Sequence, residues 1–237
     1  MGGKAKPQTP HSTPFPINWP AQLPYLTAPS LSPHLTPAHL RALRTRLTDS
    51  SDPLPEIPRD LKPGPCPAVR ITRITDPNHP AYGQAGLFAT RDLAPGELVL
   101  PYLGEVHIGT APFGSPTSAS DDYDYATSDY DLWLDRDADL AVDAARMGNE
   151  ARFINDYRGV PGRDGRKANA EFRVAWDPRR GGAEGGERCM AVFVLHAGKR
   201  AVGRARVVGI AKGEEVLVSY GRGFWQGRRE ECSTGGS

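Results

Sequence analysis

Fourteen of the chain's 23 prolines fall within the first 65 of its 237 residues, and this distribution limits the fold more than any other feature. Proline has no amide hydrogen and clashes with the preceding helical turn, so at this density neither a long helix nor a central strand can run. One segment escapes. Thr36-Pro37-Ala38-His39-Leu40 runs on to Leu47, with Thr36 suited to an N-cap and Pro37 to the first helical position. Leu40, Leu43 and Leu47 then share one face. Residues 1–65 therefore read as an extended proline-rich arm with a short helix near 36–48, anchored on the rest by aromatic residues such as Trp19 and Tyr25.

From residue 66 the texture changes to short β-like runs between turn signals. The expected strands are Ala68–Ile74, Gly86–Thr90, Glu97–Gly104, Asp131–Leu134, Asn169–Trp176, Met190–His196, Arg204–Ile210 and Glu215–Tyr220. No strand alternates with a long helical pattern, which disfavours a parallel α/β sheet. The fold class is mostly β with short helices, built from several small sheets. Two connections resemble each other: Asp92-Leu93-Ala94-Pro95-Gly96-Glu97 and Ile210-Ala211-Lys212-Gly213-Glu214 each place a glycine in a tight turn before a strand. Residues 106–129, 158–168 and 177–188 read as long loops, and 227–237 as a flexible tail.

Composition removes several classes. A net charge of +1 gives no strong attraction to nucleic acid or to an anionic membrane, and no run of eighteen apolar residues is present to span a bilayer. Met1–Pro7 has no apolar core and does not read as a secretory signal; Lys6 breaks the myristoylation pattern. Cys66, Cys189 and Cys232 are odd in number and far apart, which disfavours disulfides and structural zinc and fits a reducing compartment. The expectation is an intracellular protein with no bound metal, and a monomer.

Four segments carry candidate chemistry. Tyr82-Gly83-Gln84-Ala85-Gly86-Leu87-Phe88-Ala89 has glycines that let backbone approach a ligand, yet it fits neither a phosphate loop nor a dinucleotide fingerprint. Pro101-Tyr102-Leu103-Gly104-Glu105 ends a strand with a tyrosine and an acid. Gly148-Asn149-Glu150-Ala151-Arg152-Phe153-Ile154-Asn155-Asp156-Tyr157 mixes amides, acids and an arginine with apolar residues. Buried amides must be satisfied on both sides, so such a run holds a ligand or a crossing backbone. Gly213-Glu214-Glu215-Val216-Leu217-Val218-Ser219-Tyr220 leads a strand into a tyrosine hydroxyl. Each has an ordinary structural reading when taken singly.

In this order the four segments resemble the SET-domain protein lysine methyltransferases, over about residues 68–225. The resemblance implies a SET domain over 66–226, with several small sheets around a pseudoknot, and S-adenosylmethionine as methyl donor. It implies that Gln84, Ala85, Gly86 and Leu87 contact the donor by backbone, that Phe88 helps wall it, and that Arg152, Phe153, Asn155, Tyr220 and Trp225 also bind it. Tyr220 and Tyr102 become the catalytic tyrosines, and Tyr102, Val218, Phe224 and Trp225 the lysine channel. A protein with a target lysine is the implied partner, with histone tails the best-known class. A non-histone target, or a silent SET domain that binds chromatin or peptide, is the alternative. The nucleus is the implied location, with the cytoplasm as the other choice.

Two positions depart from that pattern. Asp156 stands where the family usually has histidine, and Val218 where it often has Phe or Tyr. The cysteine-rich flanks of many relatives are missing, which leaves Phe224 and Trp225 to close the channel. Asp121, Asp122, Asp124, Asp129 and Asp131 fall where the family's variable insert helps bind peptide, and could recognise a basic tail.

Overall fold

The computed structural model describes residues 15–46, 53–109, 125–161, 168–181, 185–196 and 208–221. Strands dominate it. Sheet one has the order β1-β5-β7-β6, from β1 (Ser30–Leu31), β5 (Glu105–Ile108), β7 (Leu140–Asp143) and β6 (Asp131–Asp135). Sheet two has the order β4-β10-β9, from β4 (Leu98–Tyr102), β10 (Glu187–Val194) and β9 (Ala170–Asp177). Two pairs complete the fold: β2 (Val69–Arg73) with β3 (Ala85–Ala89), antiparallel, and β8 (Asn155–Asp156) with β11 (Leu217–Val218), parallel. The mostly β class follows from these short, frequently turned segments.

Several expected boundaries shift. The run Glu97–Gly104 shortens to β4, because Gly104 passes so close to the Asp143 carbonyl that a Cβ there would overlap it. The chain then enters β5, inside the span read as a loop, and β7 is a second unforeseen strand. Both are only four residues long. Glu215–Tyr220 reduces to β11 plus an isolated bridge from Glu215 to Phe88. Most of Arg204–Ile210 lies outside the described residues, although Ile210 bridges to Leu93.

The two look-alike turns share their internal chemistry. Gly96 and Gly213 adopt φ of 79° and 83°, the left-handed region that favours glycine. The Glu97 carboxylate accepts from the Ala94 N–H at 2.8 Å, and the Glu214 carboxylate accepts from the Ala211 N–H at 3.1 Å. The Leu93–Ile210 bridge sets the turns side by side, with both residues fully buried.

One large core joins Leu43, Leu87, Leu100, Leu140, Val192 and Val218, and a smaller one gathers Ile57, Ala175, Ala191 and Phe193. The N-terminal segment adds to both. The helix α1 (Pro37–Arg44) is capped by the Thr36 hydroxyl, which accepts from the His39 N–H, while the His39 ring accepts from the Thr36 N–H. It docks through Leu43, 1% exposed. β1 pairs parallel with β5, and Tyr25 bridges Gly148. Trp19 meets Tyr25 and Phe153 edge to face, at ring separations of 5.0 and 5.8 Å. The expected end of the helix at 47–48 lies outside the described residues.

Among the described residues, Cys66 and Cys189 are free thiols, and no group of three or more His, Cys, Asp or Glu side chains could hold a metal. No described helix is long and apolar enough to cross a membrane.

Two buried polar groups report on this packing. Glu150, 2% exposed, accepts from the Tyr25 hydroxyl at 3.0 Å and the Cys66 N–H at 2.8 Å, and burial raises its pKa. Tyr25→Phe removes one donor and is expected to cost about 1–3 kcal/mol, the penalty of an unsatisfied buried acceptor. Thermal denaturation would read this as a Tm lower by several degrees. His107, 1% exposed, places Nε2 at 2.9 Å from an Asp131 oxygen and Nδ1 at 2.9 Å from the Ile108 carbonyl. Two acceptors call for two N–H donors, hence a charged ring. Burial opposes that charge, but the Asp131 carboxylate and the carbonyl outweigh it and raise the pKa. The folded chain thus binds this proton more tightly than the unfolded one. Its stabilisation is full below the ordinary histidine value of about 6.5 and is lost as pH rises through the raised value. A plot of Tm against pH is expected to fall on that alkaline side, and less steeply in His107→Gln.

Candidate active site

The site is built where the segment 149–157 crosses the C-terminal strand. Asn149 starts it, buried and satisfied on both sides: its oxygen accepts from the Leu103 N–H at 3.1 Å and its amide donates to the Pro101 carbonyl at 2.9 Å. That ties the segment to the end of β4, beside Tyr102. A short 3-10 turn, Glu150–Phe153, follows, and then β8 pairs with β11 in the register Asn155–Leu217 and Asp156–Val218. Asn169 closes the other side of β11, accepting from the Leu217 N–H at 2.7 Å and donating to the Glu215 carbonyl at 2.8 Å.

This crossing fixes Tyr220 at both ends. Its N–H donates to an Asp156 carboxylate oxygen at 2.8 Å, and its hydroxyl donates to the Ile154 carbonyl at 2.6 Å. Asp156 also accepts from the Arg158 backbone at 2.9 Å and its guanidinium at 2.6 Å. The residue that departs from the family pattern is therefore the anchor of the tyrosine backbone. Tyr102, 4% exposed, donates to the Tyr130 carbonyl at 2.6 Å and meets Phe172 edge to face at 5.3 Å. Burial raises the pKa of both phenols, with Tyr130, Asp156 and Glu215 adding to it at Tyr220. Both stay neutral, so neither acts as a base near pH 7.

Two cavities meet at Tyr220. The larger, about 470 Å³, is lined by His79, Gln84, Ala85, Phe153, Asn155 and Arg158, among others. The smaller, about 240 Å³, is lined by Tyr102, Asp131, Ile154 and Phe172, among others. Asp129, Tyr130, Arg152 and Tyr220 belong to both walls. The Arg152 guanidinium donates to the Ala144 and Ala145 carbonyls at 2.9 and 3.3 Å, and lies over the Tyr130 ring at 4.4 Å. The first cavity offers cations, an amide and ring faces to a polar ligand of the usual pocket size. The second is an aromatic slot.

Of the residues expected on these walls, Gln84, Ala85, Arg152, Phe153, Asn155 and Tyr220 line the larger cavity, and Tyr102 lines the smaller. Four others do not. Leu87 and Val218 are 0% exposed and belong to the core, because their strands turn those side chains away from the crossing. Phe88 opens onto a different depression with Glu214 and Leu217. Gly86 lies behind Asn155: a Cβ there would stand 2.5 Å from a Glu215 carboxylate oxygen and 3.2 Å from the Asn155 amide. Its missing side chain makes room for protein rather than for ligand. Phe224, Trp225 and Asp121–Asp124 lie outside the described residues.

His79, Tyr130, Phe172 and Arg158 are wall residues that sequence reasoning missed. His79 sits in the turn Asp76-Pro77-Asn78-His79-Pro80, with no periodicity or motif around it. A signal existed for Phe172, an aromatic in a strand expected to be buried. For Tyr130 the only hint was its place among the acidic residues of the long loop.

Comparison with known proteins agrees with this architecture. The family model of the SET domain matches residues 84–221. No curated protein matches the chain. Among solved structures, a crystal structure of the Chaetomium thermophilum polycomb repressive complex 2 is 22% identical, with a TM-score of 0.41 over 65% of this chain and 15% of that one. A ctPRC2 structure in an autoinhibited conformation bound to S-adenosylmethionine is 22% identical, with a TM-score of 0.43 over 69% of this chain and 17% of that one. This chain spans only 15–17% of the length of those chains. The family match takes in more than half of the sequence, from Gln84 on the cavity wall to Tyr220 at the junction, and the chain belongs to the SET-domain family.

Proposed function

We propose that this chain is an S-adenosylmethionine-dependent protein lysine methyltransferase. The observation that carries the reading is the junction: a polar cavity and an aromatic slot share the wall that holds Tyr220. A transferase with two substrates needs two pockets that meet at the reacting atoms. When bound, S-adenosylmethionine supplies an electrophilic methyl group on a sulfonium. The larger cavity fits it through complementary groups: Arg152 and Arg158 for its carboxylate, the Asn155 amide oxygen for a donating nitrogen, and the Phe153 and Tyr130 rings for its purine and sulfonium.

The remaining chemistry belongs to this chain. A lysine ammonium has an ordinary pKa of about 10.4 and must lose a proton before it can attack. Tyr102, Tyr130 and Phe172 strip water from the slot, which lowers that pKa. The Tyr220 hydroxyl donates to the Ile154 carbonyl, so its lone pairs are turned to incoming hydrogens. It orients the amine and meets the partial positive charge of the methyl group. Both phenols are neutral, so they stabilise this charge without trapping it as an ion pair. In-line alignment accounts for much of the remaining gain.

The acceptor is a lysine in a basic protein segment, with histone tails the best-known class and a nuclear location the natural consequence. Asp129 on the slot wall, and Asp121, Asp122 and Asp124 in the sequence before it, support a basic partner. Calorimetric titration with S-adenosylmethionine, followed by labelled-methyl transfer onto histones and cell extract, tests the proposal. The expected result is saturable binding and lysine-borne label; no binding refutes the cofactor. Tyr220→Phe is expected to lower kcat about a hundredfold or more, within the usual span for a lost transition-state hydrogen bond. Unchanged turnover in that variant would remove Tyr220 from the mechanism.

A further inference from the structure

His79 is buried, 7% exposed, at the wall of the larger cavity, and three side chains form a line behind that wall. The Ala81 N–H donates to His79 Nδ1 at 3.0 Å, so the ring proton sits on Nε2. Nε2 donates to Glu215 Oε2 at 3.0 Å, and Asn155 Nδ2 donates to Glu215 Oε1 at 2.9 Å and to the Ala85 carbonyl at 3.3 Å. An ionised carboxylate and a carbonyl only accept, so the Asn155 amide has one allowed orientation. Its NH₂ faces the protein, and its oxygen, with no partner among the described residues, is left for the cavity that Asn155 lines.

We infer that His79, acting through Glu215, is a positioning residue that locks the Asn155 amide with its oxygen toward a hydrogen-bond-donating nitrogen of the methyl donor. The inference rests on the function proposed above. Without the His79 N–H, one Glu215 oxygen is buried with no donor, and the side chain is drawn off Asn155 toward solvent. Once Glu215 has left Asn155, the amide is free to turn its NH₂ into the cavity. Two donors would face each other, and the ligand nitrogen would lose its acceptor. Gly86 belongs to the same device, because any side chain there would displace Glu215.

Binding of S-adenosylhomocysteine by calorimetry tests this in the full chain. His79→Leu is expected to weaken it roughly tenfold, the worth of one charge-assisted hydrogen bond. His79→Gln, whose amide still donates at the Nε2 position, is expected to stay within about threefold of wild type. Glu215→Gln presents an NH₂ to Asn155, forces the amide round, and is expected to bind as poorly as His79→Leu. Methylthioadenosine has the purine amine but no amino-acid end. Its unchanged binding to the variants assigns the nitrogen as the ammonium, and a parallel loss assigns the purine amine. Wild-type affinity in Glu215→Gln, or equal loss in His79→Gln and His79→Leu at unchanged Tm, overturns the inference. A wild-type chain that binds neither ligand overturns the proposed function and this role together.

Discussion

The pairing of two residues with two others, Asn155 with Leu217 and Asp156 with Val218, holds the site together. A two-residue parallel ladder is too short to persist by itself. It persists here because side chains extend it at both ends. Asp156 reaches the Tyr220 N–H, Asn155 reaches Glu215, and Asn169 takes the free edge of β11. Every wall of the two cavities is referred to this crossing. Tyr220 sits in both because its two ends are bonded to residues on one side of the ladder.

The same region explains how several acids can be buried in a chain with little net charge. Asp156, Glu215 and Glu150 are each under a tenth exposed, and each is met by backbone, amide, hydroxyl or imidazole donors. Among the described residues, Asp156 alone of the three has a guanidinium partner. Burial of a carboxylate is tolerable when its oxygens are satisfied and costly when one is not. These acids act as fixed acceptors that orient neighbouring N–H groups. Asp156 fits this logic, since it supplies an acceptor for the Tyr220 amide and Arg158 balances it.

Legibility in the sequence followed locality. The Thr36 cap, the paired Gly-Glu turns and the strands β2, β3 and β9 rest on neighbours a few residues apart, and were readable. β5 and β7 are four residues each, without alternation, and gain their place from each other and from the flanking strands β1 and β6. For the site, a motif locates a residue along the chain but not the face it presents. Thus Gln84, Ala85, Arg152 and Asn155 come together on one wall, whereas Leu87 and Val218, from the same motifs, point into the core. His79 was beyond reach. Its partner Glu215 lies 136 residues further on, and nothing near it in sequence marks it.

The span between partners also has a consequence for biosynthesis. Asn155 and Asp156 are made 60 and 64 residues before Glu215 and Tyr220, which complete their hydrogen bonding. Until that stretch leaves the ribosome, the Asn155–Glu215 and Asp156–Tyr220 bonds are unmade, and the wall of the larger cavity has no fixed orientation. The pocket is therefore finished in one late, cooperative event rather than strand by strand. A ligand that recognises only the finished wall binds after the crossing has formed, so its presence would favour that closing step over the open intermediate.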